Sequence, residues 1–192
     1  MKLKSRGCNV YLVKVNGKTF LIDVGTDGKL VARQLKELDG ILITHAHFDH
    51  VAGAFEVERI FGCPTFAHPE DIPYILRDKS FKYRGLIGFF AKAFEKFLSF
   101  KPPENLKSIF ELKEINFVHL PGHTPGSVCF FFGEKSYCGD LLRGGGRLSH
   151  QNFCHDYKTY LDSVKKFLGL EWKIAFPGHG GEILKERIKK II

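Results

Sequence analysis

Apolar and polar positions fall into short runs along this chain, and the period of each run predicts an element. Val10–Val15 and Thr19–Val24 are β-rich, and Asn16-Gly17 between them favours a two-residue hairpin turn. Apolar spacing from Lys29 to Leu38 predicts a helix closed by Asp39-Gly40. Ile41–Thr44 reads as a short buried strand, His50–Phe61 as a helix and Pro64–Ala67 as the next strand. From Pro69 to Phe100 the pattern is helical, stopping at Lys101-Pro102-Pro103. The second half repeats the order: strands at Ile115–Leu120, Val128–Phe132 and Lys135–Cys138, a helix near Asp156–Leu168, a strand at Lys173–Phe176 and a helix after Gly181. Strands grouped in each half with helices after them predict an α/β protein of two packed sheets covered by helices.

The chain has 192 residues, which sets the expectation of a single domain spanning 1–192. No apolar run approaches the roughly 20 residues of a membrane span, and Asn9, Lys14 and Asn16 interrupt the region where a signal peptide would need continuous apolar sequence. Five cysteines, an odd number with no CxxC pair, fit a reducing compartment, so the expected location is cytoplasmic. The formal net charge is +8, and each half of the chain carries +4, so there is no basic arm. One local concentration stands out: Arg77–Lys101 holds seven basic and two acidic residues. Such an excess fits a small anionic substrate better than nucleic acid when the basic groups lie beside a cationic site.

Three short punctuated segments carry the candidate chemistry. Thr44-His45-Ala46-His47-Phe48-Asp49-His50 comes directly after the apolar strand Ile41–Ile43. His45 and His47, two apart at a strand end, can grip one metal ion, and Asp49 and His50 can serve a second beside it. Imidazole and carboxylate suit Zn²⁺, with Fe or Mn as alternatives. Pro121-Gly122-His123 and Pro177-Gly178-His179 are two further turns that each present one histidine after a strand. Cys138-Gly139-Asp140 places a carboxylate at another strand end. Two divalent ions about 3.5–4 Å apart need a bridging carboxylate to offset their repulsion, and Asp140 is the best-placed candidate.

THxHxDH, GHTPGS, GD and PGHG in this order resemble the metallo-β-lactamase fold superfamily, over nearly the whole chain from Leu21-Ile22-Asp23-Val24-Gly25 to Gly178-His179-Gly180. The resemblance implies a four-layer αββα sandwich with a two-metal site where the sheets end. It implies His45, His47 and His123 on the first metal, Asp49, His50 and His179 on the second, and Asp140 between them. It also implies that Asp23 supports the site from behind through hydrogen bonds. The expected reaction is hydrolysis of a thioester or ester by a hydroxide on two Zn²⁺ ions, with Asp49 and Asp23 as the candidate catalytic residues and Asp49 relaying the proton. Glyoxalase II-like thioester hydrolases share all these ligands, although this chain stops soon after His179, where the full-length glutathione-thioester enzymes continue into a helical domain. Lactonases, mononuclear-iron sulfur dioxygenases and phosphodiesterases of the same fold remain alternatives, as does a non-catalytic metal-binding interaction module.

The basic, aromatic stretch at about 77–101 is expected to be a helical insert. Phe90, Ala93, Phe94 and Phe97 share one stripe of it. That stripe fits a helix on the core, a lid whose Phe90 and Phe94 touch substrate, a contact in a homodimer, or a membrane-surface helix. Arg143 and Arg147 flank Gly144-Gly145-Gly146 and are candidates to hold a substrate carboxylate or phosphate. The alternative there is a flexible solvated loop. His150 and His155 could face substrate, and His119 within its strand reads as structural.

Overall fold

The alternation read from the sequence separates two faces in each of two sheets. The structure is a computed structural model that describes residues 1–81 and 100–188. In the first sheet, β1 (Lys2–Leu3), β2 (Val10–Val15), β3 (Lys18–Ile22), β4 (Gly40–Leu42), β5 (Thr65–Ala67) and β6 (Leu106–Ser108) lie in sequence order. β1 to β3 are antiparallel, and β3 to β6 are parallel. The second sheet has the order β11-β10-β9-β8-β7, from β7 (Asn116–His119), β8 (Val128–Phe132), β9 (Lys135–Gly139), β10 (Ile174–Pro177) and β11 (Ile183–Leu184). β9 and β10 are parallel and the other pairs antiparallel.

Successive strand residues point to opposite faces, and the buried clusters obey that rule. Phe20, Ile22, Val128, Phe130 and Tyr137 meet Tyr11, Leu42 and Phe66 between the sheets. Leu21 and Ile41 face the other way, onto α1 (Gly28–Ala32) and α3 (Ala54–Phe61) through Val31, Ala54 and Val57. Cys129, Cys138 and Ala175 face α5 (Tyr157–Gly169) through Tyr160, Val164 and Phe167. The layers are therefore helix, sheet, sheet, helix, as expected. Among the described residues no helix is long and apolar enough to cross a membrane. All five cysteines are buried free thiols.

Several boundaries differ from expectation, each for a local reason. The Lys29–Leu38 helix stops at Ala32, after which Gln34 turns its amide onto the Lys4 backbone, donating to its carbonyl at 2.8 Å and accepting from its N–H at 2.9 Å. The His50–Phe61 helix is two, α2 (Phe48–Val51) and α3, because the Gly53 N–H bonds the Gly25 carbonyl at 2.9 Å instead of continuing the helical ladder. In Pro69–Phe100 the described helix is one turn, α4 (Ile72–Ile75), and Arg77 at φ 66° breaks it. Most of the 77–101 stretch, including Phe90 and Phe94, lies outside the described residues. The helix expected after Gly181 is instead β11 and then a 3₁₀ turn at Lys185–Arg187, since Ile183 and Leu184 pair with Ala175 and Ile174. β1 and β6 carry no clear sequence signal, being two and three residues long at sheet edges. The hairpin at Asn16-Gly17 is as expected, with positive φ at both residues (49° and 80°).

Strand direction gathers the candidate residues at one end of the sandwich. β3 and β4 run the same way, as do β7, β9 and β10, and the carboxyl ends of these strands lead directly into the five segments that carry the candidate residues.

Candidate metal centre

β4 delivers Thr44–His47 before α2 begins at Phe48, so His45 and His47 are held between a strand and a helix. The turn after β7 brings His123 against them. The three rings are edge to face, with centroids 4.9 Å (His45–His47), 4.7 Å (His45–His123) and 4.6 Å (His47–His123) apart. All three are buried, and one ligand atom of each lies within 4.8 Å of the others, so the set could hold a metal ion. Asp49, His50 and His179 form a second such set. Here His179 Nε2 is 3.1 Å from Asp49 Oδ2, and His50 Nε2 is 3.8 Å from the same oxygen. Asp140, from the end of β9, lies between the sets. Its Oδ1 is 3.5 Å from His50 Nε2, and its Oδ2 is 3.4 Å from His179 Nε2 and 3.8 Å from His123 Nε2.

The rings are aimed from behind. His50 Nδ1 meets Asp23 Oδ2 at 2.7 Å, and Asp23 also accepts the Thr44 N–H at 2.8 Å and the Thr44 hydroxyl at 2.8 Å. His45 Nδ1 meets the Thr44 hydroxyl at 3.0 Å, and His123 Nδ1 meets Cys154 Sγ at 3.7 Å. With Nδ1 engaged behind each ring, Nε2 is turned inward. Asp23, expected to support the site from behind, therefore acts through His50 and Thr44 and is a positioning residue. It reaches this place from the left-handed region, at φ 57°, which a short polar side chain tolerates better than most. Gly178 packs so closely that a Cβ there would lie 2.5 Å from both Asp140 Oδ1 and His50 Cε1. The backbone must pass at that point to present His179.

Burial sets the electrostatics of the three-histidine set. Burial, with the neighbouring imidazoles, pushes His45 well below the ordinary histidine value, His47 down to about 3 and His123 down to about 4. These rings are held in the neutral form near neutral pH. His50 goes the other way: burial opposes its charged form, but Cys8, Asp23 and Asp49 outweigh burial and raise it well above the ordinary value. Asp49 and Asp140 are held low, because the histidines around them, His50 foremost, overcome the burial that opposes their charge.

The remaining expected residues divide. Arg143 is at the rim, its Nη1 4.0 Å from Asp140 Oδ2. Arg147 is exposed and donates from Nε to the Gly144 carbonyl at 3.1 Å. The two arginines close the Gly144-Gly145-Gly146 turn through paired backbone bonds of 2.8 and 3.1 Å. His155 donates its backbone N–H to the His123 carbonyl at 3.0 Å, while His150 is exposed and caps a 3₁₀ turn. His119, read from the sequence as structural, bonds the Pro125 carbonyl at 2.8 Å and stacks on His68. Four contributors are not evident from sequence: Thr44, Cys154, the buried Asp71, and the aromatic pair Phe81 and Tyr74. Phe81 packs edge-on to His47 (4.8 Å) and stacks on Tyr74 (4.4 Å), giving the site an apolar wall. Thr44 has a signal, adjacency to His45, but the hydrogen bonds of the Asp71 side chain run to residues far along the chain.

The donor set fits divalent metal. His45 Nε2, His50 Nε2, His123 Nε2 and Asp140 Oδ1 are buried and complete no hydrogen bond among the described residues. Leaving each of them unmet would cost roughly 1–3 kcal/mol, and a cation is the partner their convergence suits.

A family model described as "Metallo-beta-lactamase superfamily" matches residues 3–179. Hydroxyacylglutathione hydrolase GloC of Haemophilus influenzae is 30% identical over 171 residues, covering 83% of this chain and 79% of that protein. A probable metallo-hydrolase of Methanocaldococcus jannaschii, MJ0888, is 27% identical over 157 residues, 74% of this chain and 71% of that protein. Among solved structures, TTHA1623 in a di-iron-bound form superposes with a TM-score of 0.75 at 30% identity, covering 94% of this chain and 91% of that one.

Proposed function

The chain belongs to the metallo-β-lactamase superfamily, and from that membership we propose that it hydrolyses a thioester or ester of a small anionic substrate at a two-metal centre. The protein is a metallo-hydrolase with a His/Asp metal site. We assign His45, His47 and His123 to one ion, Asp49, His50 and His179 to the other, and Asp140 to both. The observation that carries this assignment is the convergence of the two ligand sets from several strand ends, with His45 Nε2, His50 Nε2, His123 Nε2 and Asp140 Oδ1 buried and completing no hydrogen bond among the described residues. Zinc is the proposed metal; the same donors accept iron, and TTHA1623 is a relative in a di-iron form.

Divalent metal held by these residues would supply Lewis acidity and lower the pKa of water towards neutrality. The chain's own residues supply the rest. Asp49, with its side chain 37% exposed and Oδ2 beside His179, can take the proton of the attacking water at Oδ2 and release it to the departing sulfur or oxygen. Hydrolysis then balances: water adds across the acyl–sulfur bond, the acyl carbon gains the hydroxyl, and the leaving thiolate gains the proton. Phe81 and Tyr74 offer an apolar wall to the acyl part, and Arg143 at the rim offers a guanidinium to a carboxylate. The thioester reading draws on the likeness to GloC, a hydroxyacylglutathione hydrolase, and the anionic reading on the +8 charge.

Metal analysis with a substrate panel tests the proposal. The expected result is two equivalents of zinc and turnover of an acyl thioester of an anionic thiol, exceeding that of a lactone or a phosphodiester. One iron with oxygen uptake on a sulfur substrate overturns it in favour of a dioxygenase. No turnover on any class overturns it in favour of a binding module.

A further inference from the structure

The loop that carries His45 and His47 and the loop that carries His123 come from different sheets, yet their rings must keep a common geometry to share an ion. The Asp71 side chain hydrogen-bonds to both loops. Asp71, 1% exposed at the start of α4, accepts the Ala46 N–H at Oδ2 (2.8 Å), between His45 and His47 in sequence. The same oxygen accepts the Thr124 hydroxyl at 2.7 Å, and Oδ1 accepts the Gly126 N–H at 2.7 Å, one and three residues beyond His123. Thr124 and Ser127 are tied to each other through their hydroxyls at 2.7 Å, and the Thr124 N–H donates to Ser127 Oγ at 2.9 Å, which stiffens the second loop around the contact. Gly126 is shaped to the carboxylate: a Cβ there would stand 2.8 Å from Asp71 Cβ and Cγ.

We propose that Asp71 is a positioning residue, a buried clamp that sets the spacing of His45 and His47 against His123 and so the metal affinity of the three-histidine half of the centre. The clamp rests on the two-metal reading of the site. Both carboxylate oxygens accept a backbone N–H, so replacing either oxygen by an NH₂ group sets donor against donor. Asp71→Asn, nearly identical in shape, is therefore a disruptive change here. Charged acceptors of backbone N–H groups make shorter and stronger bonds than neutral ones, and partners behind the ligands hold those ligands in place for the metal. The clamp's bonds run to Ala46, Thr124 and Gly126 rather than to Asp49, His50 or His179, which predicts an effect on one half only.

The test is zinc binding by competition with a chromophoric chelator, on metal-free wild type, Asp71→Asn, Thr124→Val and Thr124→Ser, each checked for native circular dichroism. Asp71→Asn is expected to weaken one of two zinc equivalents about 10–100-fold and to leave the other at wild-type affinity. Thr124→Val, which removes a single arm of the clamp, is expected to weaken the same equivalent by less, and Thr124→Ser to restore it. A folded Asp71→Asn that binds both equivalents as wild type overturns the clamp while leaving the two-metal reading standing, and equal weakening of both equivalents overturns its confinement to one half. If Asp71→Asn does not fold, wild-type affinity in Thr124→Val overturns the clamp. Wild type that takes up no zinc or iron defeats the two-metal reading itself and the clamp with it.

Discussion

His45, His47 and His123 are sealed from solvent, whereas across Asp140 the set of Asp49, His50 and His179 opens to it, with side-chain exposures of 37% for Asp49 and 21% for His179. The sealed half is imidazole alone, and burial holds its rings in the neutral form. The open half mixes imidazole with carboxylate, and Asp23 and Asp49 help raise His50 above the ordinary histidine value. The difference separates two tasks within one site. A preformed neutral pocket releases few protons on taking a metal and suits a resident ion. A charged, partly solvated pocket suits exchange of protons and ligands with solvent, in keeping with the proton transfer proposed for Asp49.

Asp140 is where the comparison breaks most severely. It faces His50 with one oxygen and His123 and His179 with the other. Asp140→Ala should therefore weaken metal in both halves, while His123→Ala should weaken it in the sealed half only. Each should lower turnover by more than the roughly 10–100-fold that loss of an outer partner costs. Steady-state rates beside a metal count check this, and near-normal turnover in either variant removes that residue from the centre.

How much of the site is legible in the sequence depends on the distance between partners. His45, His47, Asp49 and His50 stand within six residues directly after one strand, so spacing alone points to metal binding. The layer architecture is legible because strands such as Phe20-Leu21-Ile22 alternate between two cores. What escapes depends on groups far along the chain. Asp71 bonds Ala46, Thr124 and Gly126, which are 25, 53 and 55 residues away, and its own neighbours in Pro69-Glu70-Asp71-Ile72 carry no trace of that. The split between α2 and α3 needs the carbonyl of Gly25, and the strand at Ile183–Leu184 needs the edge of β10. Helical periodicity is present in both places, and tertiary partners override it.

Acid should separate the halves in the metal-free protein. His47 and His123 have folded values of about 3 and 4 against an ordinary 6.5. The unfolded chain thus takes up protons as pH falls through 6.5 while the folded protein does not, and stability drops. The slope approaches about 1.4 kcal/mol per pH unit for each ring between roughly pH 6 and pH 4. His50 has the opposite sign: its value is raised, so its contribution is complete below 6.5 and fades as pH rises through its folded value. Urea midpoints of metal-free protein are expected to fall steadily from about pH 6.5 to about pH 5. A flat or rising midpoint over that range contradicts the sealed, neutral pocket.

The gentlest test acts on the open half alone. Asp23 Oδ2 holds His50 Nδ1 at 2.7 Å and Oδ1 accepts the Thr44 N–H at 2.8 Å. Asp23→Asn can keep the second bond by directing its carbonyl oxygen to Thr44. Its NH₂ then faces the His50 N–H and the Thr44 hydroxyl, so the ring loses its acceptor and Nε2 its orientation. Losing a partner of this kind typically costs about 10–100-fold in metal affinity, and His50 belongs to the open half, so that half should bear the loss. In a chelator titration, Asp23→Asn is expected to give up one equivalent where wild type keeps two, while the sealed half stays loaded. Thr44 adds a competing route, because its hydroxyl also meets His45 Nδ1 at 3.0 Å. If the variant weakens both equivalents alike, the two halves are coupled through Thr44, and their separation into a resident and an exchangeable site does not hold.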